Sequence, residues 1–208
     1  MLSGGMRYLN YKMIFLPAGI THTEGGTLPM NIKSISEIIR EMEKWTAHYE
    51  ENVNRFGLEQ LQQVHTEGEW SLGQMYVHLI GSAVYMQLRS AQRCLEREEE
   101  LSREAFKTEV GEGVFKLGGF PPIRIQVPPS PQYTPQQPTS REQLLDGFKE
   151  VLEQMKALEP KLENYDEQYK APHPRLGALS AMEWFALTEM HYRHHLLQEE
   201  RLLQALES

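Results

Sequence analysis

The sequence has a single cysteine, no long block of lysine or arginine, and no long apolar run. Cys94 has no partner for an internal disulfide, which favours a reducing cytoplasm over a secreted protein. The formal net charge of -8 and the missing basic block argue against a nucleic-acid-binding surface. No window approaches the roughly 18 uninterrupted apolar residues that a membrane-spanning helix needs. We therefore expect a soluble, cytoplasmic protein that binds neither nucleic acid nor membrane.

The length of the chain predicts a single domain. Its 208 residues, 40% of them hydrophobic, suffice for one core. Residues 1–29 lack a sustained hydrophobic period, so we expect a flexible tail before a domain at residues 30–208. Alternatively, Glu24-Gly25-Gly26 is encoded by a ribosome-binding sequence and Met30 is the natural start, so that the tail precedes the true protein.

The same N-terminal signal predicts four helices: a serine followed three residues later by Glu or Gln. In this capping box the two side chains satisfy backbone N–H groups reciprocally. The pairs are Ser34/Glu37, Ser71/Gln74, Ser140/Gln143 and Ser180/Glu183. The predicted helices end at Gly57, about Leu101, Pro160 and about Leu206. Each carries apolar residues at helical spacing, so the predicted fold is an all-α four-helix bundle.

A long connection rich in proline and glycine, residues 111–139, separates the second and third predicted helices. It is too long for a tight turn, so we expect a crossover that packs along the bundle. Its apolar anchors are Phe115, Phe120, Ile123, Ile125 and Val127. A disordered linker between two domains is the alternative, disfavoured because two helices alone could not readily bury their apolar faces.

Three of the eight histidines lie between residues 191 and 195, on the fourth predicted helix. Side chains four residues apart share a helical face, so two imidazoles there can converge on one ion. Spacing alone leaves His194 and His195 as possible partners of His191. At about 100° per residue, His191 and His195 fall on the inward apolar stripe, with Gln198 one turn on and His194 on the flank. Glu189, Arg193, Glu200 and Gln204 are predicted to face outward. Two hydrogen-bonded core histidines are the alternative to a metal site.

His78 lies in the apolar half of the second predicted helix. The residues on its stripe are polar: Ser71, Gln74, Ser82 and Tyr85. A buried polar stripe needs a partner. If the second and fourth helices are neighbours, His78 completes a three-imidazole site for a divalent ion with His191 and His195. The residues expected around this site are His194, Gln198, Tyr85, Gln74 and Ser82.

Short motifs in the chain resemble the DinB/YfiT-like superfamily of proposed metal-dependent enzymes, over about residues 32–206. They are Trp70-Ser71-Leu72-Gly73-Gln74 with His78, then His173-Pro174, Gly177, Leu179-Ser180, Glu183-Trp184, His191, His194-His195 and Gln198. The resemblance implies a four-helix bundle, commonly a homodimer, that binds a divalent ion through His78, His191 and His195. The family includes thiol-dependent transferases and isomerases, which implies a low-molecular-weight thiol as a second cofactor.

Three neutral imidazoles leave coordination positions open, as in catalytic rather than structural zinc sites. Such a site lowers the pKa of bound water or holds a thiolate, and imidazole ligands suit Zn, Ni, Cu or Fe. No carboxylate is predicted to face the pocket, so no catalytic side chain is assigned. We predict a metal-dependent thiol S-transferase or hydrolase. The alternative is a non-catalytic metal- or ligand-binding bundle that acts as a dimeric interaction module.

Overall fold

The computed structural model describes residues 32–101, 103–122 and 134–207. Its elements are α1 Ile35–Arg55, α2 Leu58–Gln62, α3 Leu72–Ser82, a π-helical segment Ala83–Leu88, α4 Arg89–Leu95, α5 Glu109–Leu117, α6 Arg141–Leu162, β1 Lys170–His173, β2 Gly177–Ser180 and α7 Ala181–Glu207. The described chain is therefore mostly helical, as expected, with a two-stranded antiparallel sheet that the all-α prediction did not include. The expected tail, residues 1–29, lies outside the described residues.

The predicted serine caps begin the long helices. Both bonds of the capping box form at three of them: Ser34, Ser71 and Ser180. At Ser140 only one bond forms, because the Gln143 side chain accepts from the backbone N–H of Thr139 instead. These serines therefore fix where α1, α3, α6 and α7 start.

Two predicted helix ends are wrong. The second helix does not run to Leu101, since α4 ends at Leu95 and the π-helical segment interrupts the helix before it. Pro160 does not end α6, which continues to Leu162. A proline removes one backbone hydrogen bond to the preceding turn, and here that loss falls in the last turn, where little helix remains to be disrupted.

The connection between the second and third long helices contains a helix of its own, α5. Thr108 caps it, and Gly118 ends it in the left-handed region at φ 70°. Phe115 is fully buried, and a Cβ on Gly111 would lie 2.2 Å from the carbonyl oxygen of Leu176, so this part packs tightly. The other expected anchors, Ile123, Ile125 and Val127, lie outside the described residues.

The long helices pack around α7. Helix α1 packs on α6 and α7, α3 packs on both, and the π-helical segment and α4 pack on α7. An aromatic core joins them, with its largest buried side chains at Trp184, Tyr49, Tyr76, Tyr192, Phe115, Phe148 and Phe185. No described helix combines the length and hydropathy needed to span a membrane. This packing brings one face of α3 against the inward face of α7.

Candidate metal centre

Three histidine rings meet where α3 packs on α7. The Nε2 atom of His191 lies 3.1 Å from Nε2 of His78 and 3.1 Å from Nε2 of His195. Ligand atoms of the three residues all lie within 4.8 Å of one another. Among the described residues this is the only such group of potential metal ligands, and it contains neither a carboxylate nor a thiolate.

The ring nitrogens do not satisfy one another by hydrogen bonding. An imidazole nitrogen carries either one hydrogen or one lone pair in the plane of its ring. Nε2 of His191 can therefore make a normal hydrogen bond to only one of the two nitrogens at 3.1 Å. A cation that accepts all three lone pairs would satisfy the cluster, so the donor set fits a divalent metal ion.

Each histidine has a polar neighbour at its other ring nitrogen. Gln198 Oε1 lies 2.9 Å from Nδ1 of His195 and accepts its hydrogen, which leaves the Nε2 lone pair directed at the cluster. Ser82 Oγ lies 3.5 Å from Nδ1 of His78, and Gln87 Nε2 lies 3.2 Å from Nδ1 of His191. Metal-binding histidines typically donate this second ring hydrogen to such a partner. At His195 and His78 an oxygen is placed to accept it, whereas at His191 the nearest atom is an amide nitrogen.

Burial keeps the three rings neutral. Loss of hydration lowers the pKa of His78 to about 4 and that of His195 to about 3, the latter also through His78 and His194. The pKa of His191 is well below its ordinary value, first through burial and then through His195 and His78. Near pH 7 the cluster is therefore in the uncharged form that binds metal ions.

Aromatic side chains flank the histidines on two sides. The Trp70 ring centroid lies 5.0 Å from that of His78, and the Phe120 centroid lies 5.2 Å from His194 and 6.4 Å from His191. Trp70 precedes the cap of α3, and Phe120 follows α5. The predicted connection thus contributes an apolar wall beside the histidines.

The other residues expected around the site divide into two groups. Ser82 and Gln198 contact His78 and His195, and the half-buried His194 lies beside them, its ring centroid 5.6 Å from that of His195. Gln74 instead completes the cap of α3 and donates to the Pro135 carbonyl at 2.7 Å. Tyr85 is 74% exposed. The predicted polar stripe is therefore not one surface around the histidines: Ser82 contacts them, Gln74 lies at the start of α3, and Tyr85 faces solvent.

Sequence reasoning missed Gln87. In an uninterrupted α-helix it would lie about half a turn around the axis from His78. The π-helical segment Ala83–Leu88 changes that phase and directs Gln87, 2% exposed, towards His191. No feature of the residues announces a π turn, so the periodicity gave no signal.

Sequence reasoning also missed a buried carboxylate, Glu199, only 1% exposed. It accepts from Tyr76 Oη at 2.6 Å and Asn52 Nδ2 at 3.0 Å, and it pairs with His48 Nε2 at 2.6 Å. A signal was present, because Glu199 follows His195 by four residues and shares its inward stripe. Its partners join α1, α3 and α7.

The prediction that Glu189 faces outward is wrong. Its side chain is 2% exposed and is held by Lys33 Nζ at 3.1 Å, Trp45 Nε1 at 3.3 Å and Arg193 Nε at 2.9 Å. Helical phase places it away from the histidines, yet α1 and the residue before its cap cover that face. Arg193 also donates to the Gly118 carbonyl at 2.7 Å, which ties the end of α5 to α7.

The fold and the cluster define a class: a mostly helical protein with a three-imidazole site built from two helices. A family model of the DinB superfamily matches residues 41–198, which include all three histidines. The chain therefore belongs to the DinB superfamily, and the resemblance noted in its motifs is confirmed. No curated protein and no solved structure matched the chain.

Proposed function

We propose that the protein binds one divalent metal ion through Nε2 of His78, His191 and His195, and that it is a metal-dependent enzyme of thiol S-transferase or hydrolase type. The observation that carries the proposal is the approach of two like ring nitrogens to the single Nε2 of His191 at 3.1 Å each. We further propose that the long helices form the four-helix bundle of the family, with residues 111–139 as its crossover.

The donor set supports a reactive rather than a purely structural ion. Three protein ligands leave at least one coordination position for water or substrate. An ion held there would supply Lewis acidity and lower the pKa of a bound water or thiol. Trp70 and Phe120 would exclude water from two sides and suit an organic substrate with an apolar part.

The carboxylates near α7 support a nucleophile activated by the metal rather than by a general base. Glu199 is already bonded to Tyr76 and Asn52, and Glu189 is held by Arg193 and Lys33. Neither belongs to the histidine cluster. An external thiol fits this arrangement, since burial raises the pKa of the only internal thiol, Cys94, to about 11. We also propose a cytoplasmic location, since the single cysteine of the chain has no partner for an internal disulfide.

Metal analysis of untagged protein purified without chelators tests the proposal. We expect close to one equivalent of Zn, Ni, Cu or Fe per chain. The Co²⁺-loaded protein should then show a thiolate-to-metal charge-transfer band when a low-molecular-weight thiol is added. Protein that takes up no divalent metal in equilibrium dialysis would overturn the metal site, and a metal spectrum insensitive to thiols and to water exchange would overturn the enzyme.

A second candidate is a non-catalytic metal- or ligand-binding bundle acting as a homodimeric interaction module. Exposed apolar side chains favour a further interface: Tyr85 is 74%, Phe106 80% and Leu117 58% exposed. Light scattering measures the oligomeric state, and water-proton relaxation of the Mn²⁺-loaded protein measures open coordination positions. A dimer whose metal carries no exchangeable water would favour the module over the enzyme.

A further inference from the structure

The π-helical segment Ala83–Leu88 places a glutamine beside the histidine that lies between the other two. We propose that Gln87 is a positioning residue: its side-chain oxygen accepts the Nδ1 hydrogen of His191, and this directs the Nε2 lone pair of His191 at the metal. The inference rests on the proposed metal site. It assigns a role to the interruption of the helix between α3 and α4.

The contacts of the Gln87 amide carry the argument. The side chain is 2% exposed, and its Nε2 lies 3.2 Å from His191 Nδ1. Its Oε1 is buried without a hydrogen-bond partner among the described residues. A buried carbonyl oxygen without a hydrogen-bond partner destabilises the folded state. Oxygen and nitrogen of an amide have nearly the same shape, so a half-turn about the last side-chain bond exchanges them.

The two amide orientations have opposite consequences for His191. If the amide nitrogen donates to Nδ1, the ring hydrogen must sit on Nε2, and that nitrogen has no lone pair for a metal. If the amide oxygen accepts from Nδ1–H, Nε2 of His191 has its lone pair free; Oε1 of Gln87 gains the partner that it lacks, and the amide nitrogen gives up its contact with Nδ1. The second orientation matches the Gln198–His195 pair, in which the amide oxygen already faces Nδ1 at 2.9 Å.

The π turn explains why this residue reaches the site. A regular α-helix would put Gln87 about half a turn from His78. A π-helical turn contains an extra residue, so the phase of later side chains shifts. The π-helical segment packs on α7, where His191 lies, while Tyr85 in the same segment is 74% exposed. One interruption therefore lets both His78 and Gln87 face α7.

Three variants and two readouts test the proposal. Gln87→Met keeps the shape and removes the acceptor, Gln87→Glu keeps an acceptor oxygen, and Gln92→Met removes an exposed glutamine from α4 as a control. Long-range ¹H–¹⁵N correlation of the metal-free protein reports which ring nitrogen of His191 carries the hydrogen. Chelator competition with Zn²⁺ reports affinity, and circular dichroism checks that each variant is folded.

We expect the Nδ1–H form of His191 in the metal-free wild type and in Gln87→Glu. Zn²⁺ affinity should fall about 10–100-fold in Gln87→Met, the usual cost of losing such an outer partner. Gln87→Glu should stay within a few-fold of wild type, and Gln92→Met should be unchanged. Wild-type affinity in folded Gln87→Met, or an Nε2–H form of His191 in the wild type, would overturn the proposal. Because the tautomer is read without metal, it decides the role of Gln87 even if the wild type binds no Zn²⁺ and the proposed function fails.

Discussion

Two polar clusters lie on the inward face of α7, and they differ in whether their atoms can pair as hydrogen-bond donors and acceptors. In the Glu199 cluster one acceptor meets donors: Tyr76 at 2.6 Å and Asn52 at 3.0 Å, with His48 closing the other oxygen. In the histidine cluster, His191 Nε2 meets two nitrogens of its own kind at 3.1 Å. Complementary atoms complete one another and stabilise the fold. Nitrogens of the same kind need an additional partner that accepts their lone pairs, so the histidine cluster is the candidate for binding a metal ion.

The two clusters also differ in charge: one contains a carboxylate, and the other contains only neutral imidazoles. Burial, followed by the negative charge of Glu199, raises the pKa of Tyr76 well above its ordinary value, so Tyr76 remains a hydrogen donor. The histidines are held neutral by burial and carry lone pairs without a counter-charge. The Glu199 cluster is therefore complete in the protein alone, whereas a cation would complete the histidine cluster.

Removal of a ligand should give the largest effect. His191→Ala takes away the nitrogen that lies between the other two, so divalent-metal affinity should fall by more than the roughly 100-fold expected for an outer partner. The capped helices and their apolar faces pack without the ion, so the metal-free variant should stay folded. Chelator competition and circular dichroism measure the two quantities. A folded His191→Ala protein with wild-type metal affinity would show that the histidine cluster does not bind the metal.

Glu199→Ala should act in the opposite way, on stability. The change leaves the buried donors of Tyr76 and Asn52 without a partner, at about 1–3 kcal/mol each. A loss of about 3 kcal/mol lowers Tm by roughly 6–12 °C in a chain of this size.

Glu200→Ala is the matched control, because Glu200 is the exposed neighbour on the same helix and should change Tm little. Thermal unfolding in excess chelator measures both variants. Equal melting temperatures for the two alanine variants would show that the Glu199 cluster does not stabilise the fold.

A histidine outside both clusters sharpens the comparison through pH. Burial and then Arg175 lower the pKa of His173 from 6.5 to about 4, and its Nδ1 accepts from the backbone N–H groups of Arg175 and Leu176. The unfolded chain takes up this proton as pH falls below 6.5 while the folded chain resists it until about 4, so folding free energy is lost across that interval.

His173→Asn keeps an acceptor for the turn without a titrating ring. Between pH 7 and pH 4 the variant should lose on the order of 1 kcal/mol less stability than wild type, after allowance for the partial exposure of His173. Urea unfolding at several pH values measures this difference. Identical acid profiles would show that burial of His173 makes no contribution.

The smallest effect is expected at His194. This ring lies on the flank, 5.2 Å from Phe120 and 5.6 Å from His195 between centroids, and contributes no atom to the cluster. His194→Ala should retain metal affinity within about tenfold of wild type, below the upper range for lost outer partners. Isothermal titration resolves such a change. A loss as large as that of His191→Ala would move the site to the pair three residues apart.

Features that depend on a few neighbouring residues could be predicted from the sequence. Serine caps gave the starts of α1, α3, α6 and α7, because the device is contained within four residues. Helical phase selected His191 and His195 over His194, because α7 is continuous across them. These features need no knowledge of the partner helix.

Features set by partners or by backbone defects escaped prediction. The burial of Glu189 depends on Lys33 and Trp45, more than 140 residues away in the chain. The place of Gln87 depends on a π turn that leaves no mark in the hydrophobic pattern. Phase rules hold only within a regular helix, so they misjudged Tyr85 and missed Gln87, both of which lie inside the π-helical segment.

X-ray absorption spectroscopy of the Zn²⁺-loaded, untagged protein tests the central claim most directly, because it counts the imidazoles bound to the ion. The account predicts three imidazoles and one or more light oxygen or nitrogen ligands from solvent, unchanged in His194→Ala and reduced to two in any His195→Ala protein that still holds metal. An ion bound by fewer than three imidazoles in the wild type, or by protein carboxylates, would contradict it.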